Sequence, residues 1–399
     1  MPVHSLTDPV TPDAARRAVR ALVPRIADRA QEYDRTGDFP VADFDDLRAR
    51  GLLGLMVPVD LGGCGATFSD YTEIAMELAE GSGSTALIFN MHASVTGALA
   101  QLSEEVLSAF GARREFFDER DRLLAEAATG ALYAVAMSER GSGSRLSKTT
   151  TSYRRTARGF RITGSKTFVS GAEHADAFLV TAREADAVEP NISYFLVPAG
   201  PGARVERTWD AMGMRATASH DVHFDVEIDG SGLLGGVEGV TLPLVQLMPQ
   251  WVVSSYAAVY VGVARSALQA AGAHLKERGL SGLAGARARL GRADAAVAGA
   301  EAVVREAARR VTDHPGEPET NRWVWRAKLV AGDTAAEVAS TALEAAGASA
   351  TRRGHPLERI YRDARCGALQ PATSDVCADW LGTAVLNGDP DHDSELPRW

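Results

Sequence analysis

The stretch that most limits what this chain can become is residues 133–182, YAVAMSERGSGSRLSKTTTSYRRTARGFRITGSKTFVSGAEHADAFLVTA. It opens like a strand and runs into the loop Gly141-Ser142-Gly143-Ser144. A basic alternating hairpin follows, then Gly164-Ser165-Lys166-Thr167-Phe168-Val169-Ser170-Gly171. Small residues beside hydroxyl and amide donors make a cradle for something flat, polar and anionic. Helical periodicity lies on both sides. The pattern therefore predicts a small β domain held between helices, with a cofactor along its edge.

A chain of 399 residues, 45% of them hydrophobic, has enough apolar surface for a sizeable core in two or three domains. Its net charge of −10 argues against nucleic acid as a partner, since phosphate binding needs a basic face. Cys64, Cys366 and Cys377 are few, odd in number and not at metal spacing, so no metal is expected and the thiols read as reduced. There is no apolar leader and no apolar run of about 18 residues, so no membrane association is expected. These features together describe a cytoplasmic enzyme.

Periodicity divides the chain into 1–130, helical; 131–239, rich in β alternation; and 240–399, helical again. In the first part helices are expected over 11–35, with Pro24 as a possible kink, and over 41–50. Two more follow: 69–78 with Ser69 as N-cap, and 84–102, apolar nearly all round and therefore buried. In the middle part antiparallel strands are expected, including a hairpin over 154–162 and strands at 177–181, 192–197 and 222–226. Long helices over 242–276, 284–312, 321–347 and 374–386 read as an antiparallel four-helix bundle. The acidic, proline-containing tail 387–399 reads as a surface segment. The class is α+β: an N-terminal helical domain, a small antiparallel β-barrel or sandwich, and a C-terminal bundle.

Five motifs carry a resemblance. They are Gly51-Leu52-Leu53-Gly54 with Val57-Pro58 and Gly62-Gly63; Ser138-Glu139-Arg140-Gly141-Ser142-Gly143-Ser144; Gly164 to Gly171; Met212-Gly213-Met214-Arg215 with Val222-His223-Phe224; and Arg362-Asp363-Ala364-Arg365. In this order and architecture the chain resembles the acyl-CoA dehydrogenase superfamily over nearly its whole length. The resemblance implies FAD, with flavin contacts from Met137, Ser138, Gly143, Ser144, Phe168, Val169 and Ser170. Ser138 and Ser170 offer hydroxyls to a flavin carbonyl or N5, and Phe168 offers an aromatic face. The resemblance also implies that Arg278 reaches the pyrophosphate of a neighbouring subunit's FAD, that Thr373, Ser374 and Asp375 touch the flavin, and that the protein is a homodimer or homotetramer.

The sequence departs from the family where the chemistry would be done. The dehydrogenases need a carboxylate over the substrate α-carbon. One family position for that glutamate falls at Pro371; the other, with its adjoining arginine, falls at Val252 and Val253. Gly347-Ala348-Ser349-Ala350-Thr351 replaces a flavin-contact segment, Glu344 stands where a glutamine is expected, and Ser281 and Arg289 replace an aromatic residue and a glutamine.

Three functions stay open. The first is oxidation of an acyl thioester, on coenzyme A or a carrier protein, using another acid. Asp375 is nearest in sequence, although it reads more naturally as a flavin-facing helix N-cap. The second is a flavin monooxygenase using reduced flavin and oxygen. His92 then stands where some such enzymes carry a histidine, while Gln370 replaces the second histidine of others and counts against this reading. The third is a non-catalytic scaffold. The Ser84-Thr85-Ala86-Leu87 helix start and the run Phe168 to Glu173 side with the first reading. The catalytic candidates are His92, Ser170 and Asp375.

Overall fold

A computed structural model describes residues 11–103, 111, 114–188 and 191–392. The first helices are α1 (Pro12–Thr36), α2 (Val41–Arg48), α3 (Phe68–Gly81) and α4 (Gly83–Gln101). Pro24 lies inside α1 without ending it. The start of α3 is set by Thr67, not Ser69. Thr67 and Asp70 form a reciprocal capping box, and Ser69 bonds instead to Thr312 across the molecule. Ser82 caps α4 by accepting from the Thr85 N–H. A helix that the periodicity did not suggest, α5 (Arg114–Ala128), leads into the sheet.

The central sheet has seven strands: β1 (Tyr133–Ala136), β2 (Ser152–Arg155), β3 (Gly159–Val169), β4 (Ala177–Glu184), β5 (Ile192–Pro198), β6 (Ala203–Glu206) and β7 (His220–Asp229). The order is β1-β4-β2-β3-β7-β6, with β5 on the other edge of β4. The expected hairpin is β2–β3, in register Arg155↔Phe160. The sheet is not wholly antiparallel: β1 and β2 both run parallel to β4. Reciprocal bonds enforce the first of these pairings. The Leu132 N–H donates to the Asp176 carboxylate and the Asp176 N–H donates to the Leu132 carbonyl, each at 2.7 Å. They tie the start of β1 to the start of β4, so the two strands leave in the same direction. Phe178, Val180, Phe195, Val197, Val222 and Phe224 pack together as a separate core.

The expected helix over 242–276 is two helices. α6 (Thr241–Leu247) ends before Pro249, a tight turn covers Pro249–Trp251, and α7 (Ser255–Glu277) begins after it. Then come α8 (Ala284–Asp313), α9 (Pro318–Ala346), α10 (Pro356–Arg365) and α11 (Ser374–Val385). α9 is the spine of this bundle and touches the other four long elements. Half of its buried residues are alanine, so neighbouring backbones approach closely. Of the tail, 393–399 lies outside the described residues; before it, Asp391 accepts from the Trp380 indole N–H and ties the chain to α11. No helix among the described residues is long and apolar enough to cross a membrane.

Candidate active site

The glycine–serine loop is rooted by charge. Lys166 on β3 is fully buried, and its Nζ donates to Glu139 Oε1 at 2.8 Å, Thr181 Oγ1 at 2.9 Å and the Met137 carbonyl at 3.2 Å. Glu139 also accepts from the N–H groups of Thr150 and Thr151. Burial alone would raise this carboxyl. The Lys166 charge and these donors outweigh it and hold the group down at about 2. On the far side Arg140 bonds Asp221, which accepts from Thr167 Oγ1 as well. Glu139 and Gly143 exchange backbone bonds and close the loop.

Its tip is open. Gly141 and Gly143 have φ of 90° and 62°, the left-handed region, and a Cβ built on either would meet nothing within 4 Å. The sequence motif is thus held at its root and free at its rim.

The second element lies alongside. The Thr167 N–H donates to the Ser138 carbonyl at 2.9 Å. Between Lys166 and Val169 the β3–β7 register breaks in a bulge. Phe168 takes φ 58° and turns outward, 59% exposed, with its ring edge-on to Trp209. A non-glycine residue in the left-handed region is strained, and such strain gathers where a side chain must be aimed. Val169, by contrast, is buried in the sheet core and has only its backbone to offer a ligand. Ser170 ends the segment with its hydroxyl 2.9 Å from Ser219. Flavin chemistry asks for an open backbone rim for phosphate, an aromatic wall and a polar atom at one edge. The residues present fit those demands.

The remaining candidates lie elsewhere. His92 is buried at the root of β1. Its Nε2–H donates to the Leu53 carbonyl at 2.7 Å, and its Nδ1 accepts from the Tyr133 N–H at 3.0 Å. Burial pushes it down to about 4, so it is neutral, with both nitrogens committed to backbone. Thr373, not Asp375, caps α11, accepting from the Val376 N–H; Asp375 is exposed in the first turn. Ser374 donates to Asp333 on α9 at 2.6 Å. Arg278 is exposed just past the end of α7. No hydrogen bond among the described residues joins these five to Ser138–Ser144 or Phe168–Ser170.

The loop carrying Pro371 is fixed by residues the sequence did not single out. Lys328 on α9 is fully buried and donates to the carbonyls of Gly367, Gln370 and Ala372 at 2.8–3.1 Å. One turn further on, Gly332 lets the loop approach: a Cβ there would lie 2.8 Å from the Gly367 carbonyl. On the other side Gly367 lies against the Tyr260 ring, and Tyr260 donates to Gln370 Oε1 at 2.7 Å. The signal for Lys328 was a lysine between apolar neighbours in an alanine-rich helix.

Neither family acid position carries a carboxylate. Val253 is fully buried, and residues 241–262 contain no carboxylate. Beside them Trp251 fills the space between α3 and α4. A Cβ on Gly97 would lie 2.1 Å from its ring, and its indole N–H donates to Gln101 at 2.7 Å. On α10, Glu358 pairs with Arg362, and Asp363 accepts from the Met214 N–H.

Comparison with known proteins follows the same layout. The chain matches the acyl-CoA dehydrogenase N-terminal domain over residues 11–109, the middle domain over 134–226 and the C-terminal domain over 254–374. L-evernosamine nitrososynthase from a Micromonospora species is 32% identical, covering 97% of this chain and 94% of that protein. Dibenzothiophene monooxygenase from Rhodococcus qingshengii is 26% identical, over 92% of each. Among solved structures, KijD3 with FMN and dTDP-3-amino-2,3,6-trideoxy-4-keto-3-methyl-D-glucose superposes with a TM-score of 0.81 at 28% identity, covering 97% of each chain.

Proposed function

This chain belongs to the acyl-CoA dehydrogenase superfamily and is a flavin-dependent oxidoreductase, and we propose that it is an oxygenase of that superfamily, hydroxylating the nitrogen of an amine on a compact, sugar-sized substrate. The observation that carries this reading is a flavin cradle whose glycines, hydroxyls and aromatic wall are complete beside acid positions occupied by Pro371, Val252 and Val253. Neither family position holds a base to receive an α-proton, whereas oxygen transfer needs none at that place. The reading of acyl-thioester oxidation, on coenzyme A or a carrier protein, is therefore not ours. The likeness to the nitrososynthase, 32% identical against 26% for the dibenzothiophene monooxygenase, supports nitrogen over sulfur as the atom oxidised.

The bound flavin supplies two electrons for the activation of dioxygen. In the balanced reaction one oxygen atom enters the N–H bond to give a hydroxylamine. The other leaves as water with the two electrons and two protons of dihydroflavin. The chain's own residues do the positioning. Loop 141–144 would hold the phosphate, Phe168 the ring face and Ser170 the ring edge. Gln370, its carbonyl end held by Tyr260, would turn its NH2 to a substrate acceptor. His92, with both nitrogens engaged, would set the start of β1, while Thr373, Ser374 and Asp375 would line the far side from the head of α11.

The flavin itself is either FMN or FAD. We favour FMN, since the elements above address the half common to both. The departures at Ser281, Arg289, Glu344 and 347–351 remove residues that the family resemblance would lead one to expect around FAD, which also favours the smaller flavin.

The test supplies chemically reduced FMN or FAD and oxygen with a panel of amino sugars, free and dTDP-linked, thioethers and acyl-CoA. A mass gain of one oxygen on an amine, dependent on both reduced flavin and oxygen, is expected. Bleaching of oxidised flavin by acyl-CoA without oxygen would overturn the reading.

A further inference from the structure

Behind Ser170 runs a chain of hydroxyls whose hydrogen-bond directions can be counted. Thr217 Oγ1 lies 2.8 Å from the Met214 carbonyl. A carbonyl only accepts, so the single proton of Thr217 is committed there. Ser219 Oγ lies 2.6 Å from Thr217 Oγ1. With Thr217's proton used, Ser219 is the donor in that bond. Ser170 Oγ lies 2.9 Å from Ser219 Oγ, and by the same count Ser170 donates inward. All three side chains are buried, so water does not reset the order.

The anchor of the chain is firm. The Met214 carbonyl also accepts from the Trp209 indole N–H at 3.2 Å, and the Met214 N–H is bound to buried Asp363 at 2.6 Å. The peptides on both sides of the Met214 Cα are thus held, one by Asp363 and the other by Thr217 and an indole N–H shared with the Arg215 carbonyl at 3.1 Å, which keeps the Met214 carbonyl toward Thr217. Met214 itself has φ 52°, so this turn is held in an unusual shape by its partners.

We infer that Ser170 presents lone pairs, not a proton, to the cofactor edge, and that the site thereby selects dihydroflavin, whose N5 carries a hydrogen, over oxidised flavin, whose N5 is an acceptor. The inference rests on the proposed placement of the flavin edge at Ser170. Oxidised flavin would have to reverse the relay and take Thr217 off the Met214 carbonyl. The net worth of one hydrogen bond sets the discrimination at about fivefold to tenfold. Thr217 and Ser219 are positioning residues that act through Ser170.

The experiment measures dissociation constants of oxidised and dithionite-reduced FMN and FAD, anaerobically, by calorimetry. The proteins are the wild type and the variants Ser219→Ala, Thr217→Val and Thr217→Ser, each checked for folding by circular dichroism. The wild type is expected to bind the reduced form more tightly. Ser219→Ala, which returns Ser170 its proton, should lower that preference about fivefold to tenfold. Thr217→Val should act in the same direction, and Thr217→Ser should retain the wild-type ratio. As a check that does not depend on any variant, the potential of the wild-type-bound flavin should lie above that of free flavin. Equal affinity for both forms, or a preference unchanged in folded Ser219→Ala, overturns the relay and leaves the flavin site standing. Binding of neither form in either redox state would overturn the flavin site, and the relay with it.

Discussion

Acid should weaken this protein through His92, and the size of the effect follows from the ring's surroundings. Nδ1 faces the Tyr133 N–H and Nε2 faces the Leu53 carbonyl, in a site 1% exposed. Protonation would put an N–H against an N–H with no water to intervene. Burial is the main cause that lowers the ring to about 4; nearby Arg48 also lowers it, while the Leu53 carbonyl and Asp176 oppose. The unfolded ring titrates near 6.5, so between about 4 and 6.5 the unfolded chain binds the proton and the folded one does not. Stability therefore rises with pH through this window and is lost as pH falls from 6.5 toward 4. The gap is worth about 3 kcal/mol in full. Urea unfolding of the wild type and His92→Gln at pH 7, 5.5 and 4.5 isolates the term, because other titrating groups cancel in the difference. The variant is expected to be less stable at pH 7 by about 1–3 kcal/mol for its lost backbone bonds. That deficit should shrink by about 2–3 kcal/mol on going to pH 4.5. A deficit that stays constant across the range would show that His92 titrates normally, and the structural role drawn from its two bonds would fall.

Two further outcomes follow from close approaches around the site. Trp251→Ala should cost about 3–5 kcal/mol. Gly97→Ala should be severely destabilising in the wild type, where the Cβ meets the Trp251 ring, yet mild in the Trp251→Ala background; additive costs in a urea-unfolding double-mutant cycle would disprove the contact. Lys328→Met should leave the Gly367, Gln370 and Ala372 carbonyls without their donor and cost about 2–4 kcal/mol, less whatever is regained by no longer burying a charge. Limited proteolysis should then cut within 366–373, and an unchanged cleavage pattern would mean that the loop does not depend on the clamp.

Much of the architecture was legible because its signals are local. Helical periodicity, the β2–β3 hairpin and the Gly141–Ser144 loop are each written within a dozen residues. Two of the misreadings share one cause, a partner far along the chain. The parallel pairing of β1 with β4 is set by Leu132 and Asp176, 44 residues apart. Ser69 looked like a cap because its bond to Thr312, 243 residues away, has no mark in the sequence. The buried pair Lys166–Glu139 was visible as two motif letters, but its role as the root of the loop needed the sheet. Proline at position 249 was a local signal, and the alanine- and valine-rich run around it masked the break.

The two halves of the site are held by different physics, and this bears on how a base can vanish while the cradle persists. The flavin side depends on particular side chains: Glu139 must accept, Lys166 must donate, and Asp221 must bridge Arg140 and Thr167. Changing Glu139 or Lys166 leaves the other as an unpaired buried charge. On the substrate side Lys328 reads main-chain carbonyls, which every residue carries, and Gly332 and Tyr260 fit against the Gly367 backbone. The side chain at 371 takes no part in any of these contacts. The loop therefore keeps its position whether residue 371 is an acid or a proline. On the proposed reading, proline there takes a base from that position without disturbing the place where a substrate would meet a flavin edge at Ser170.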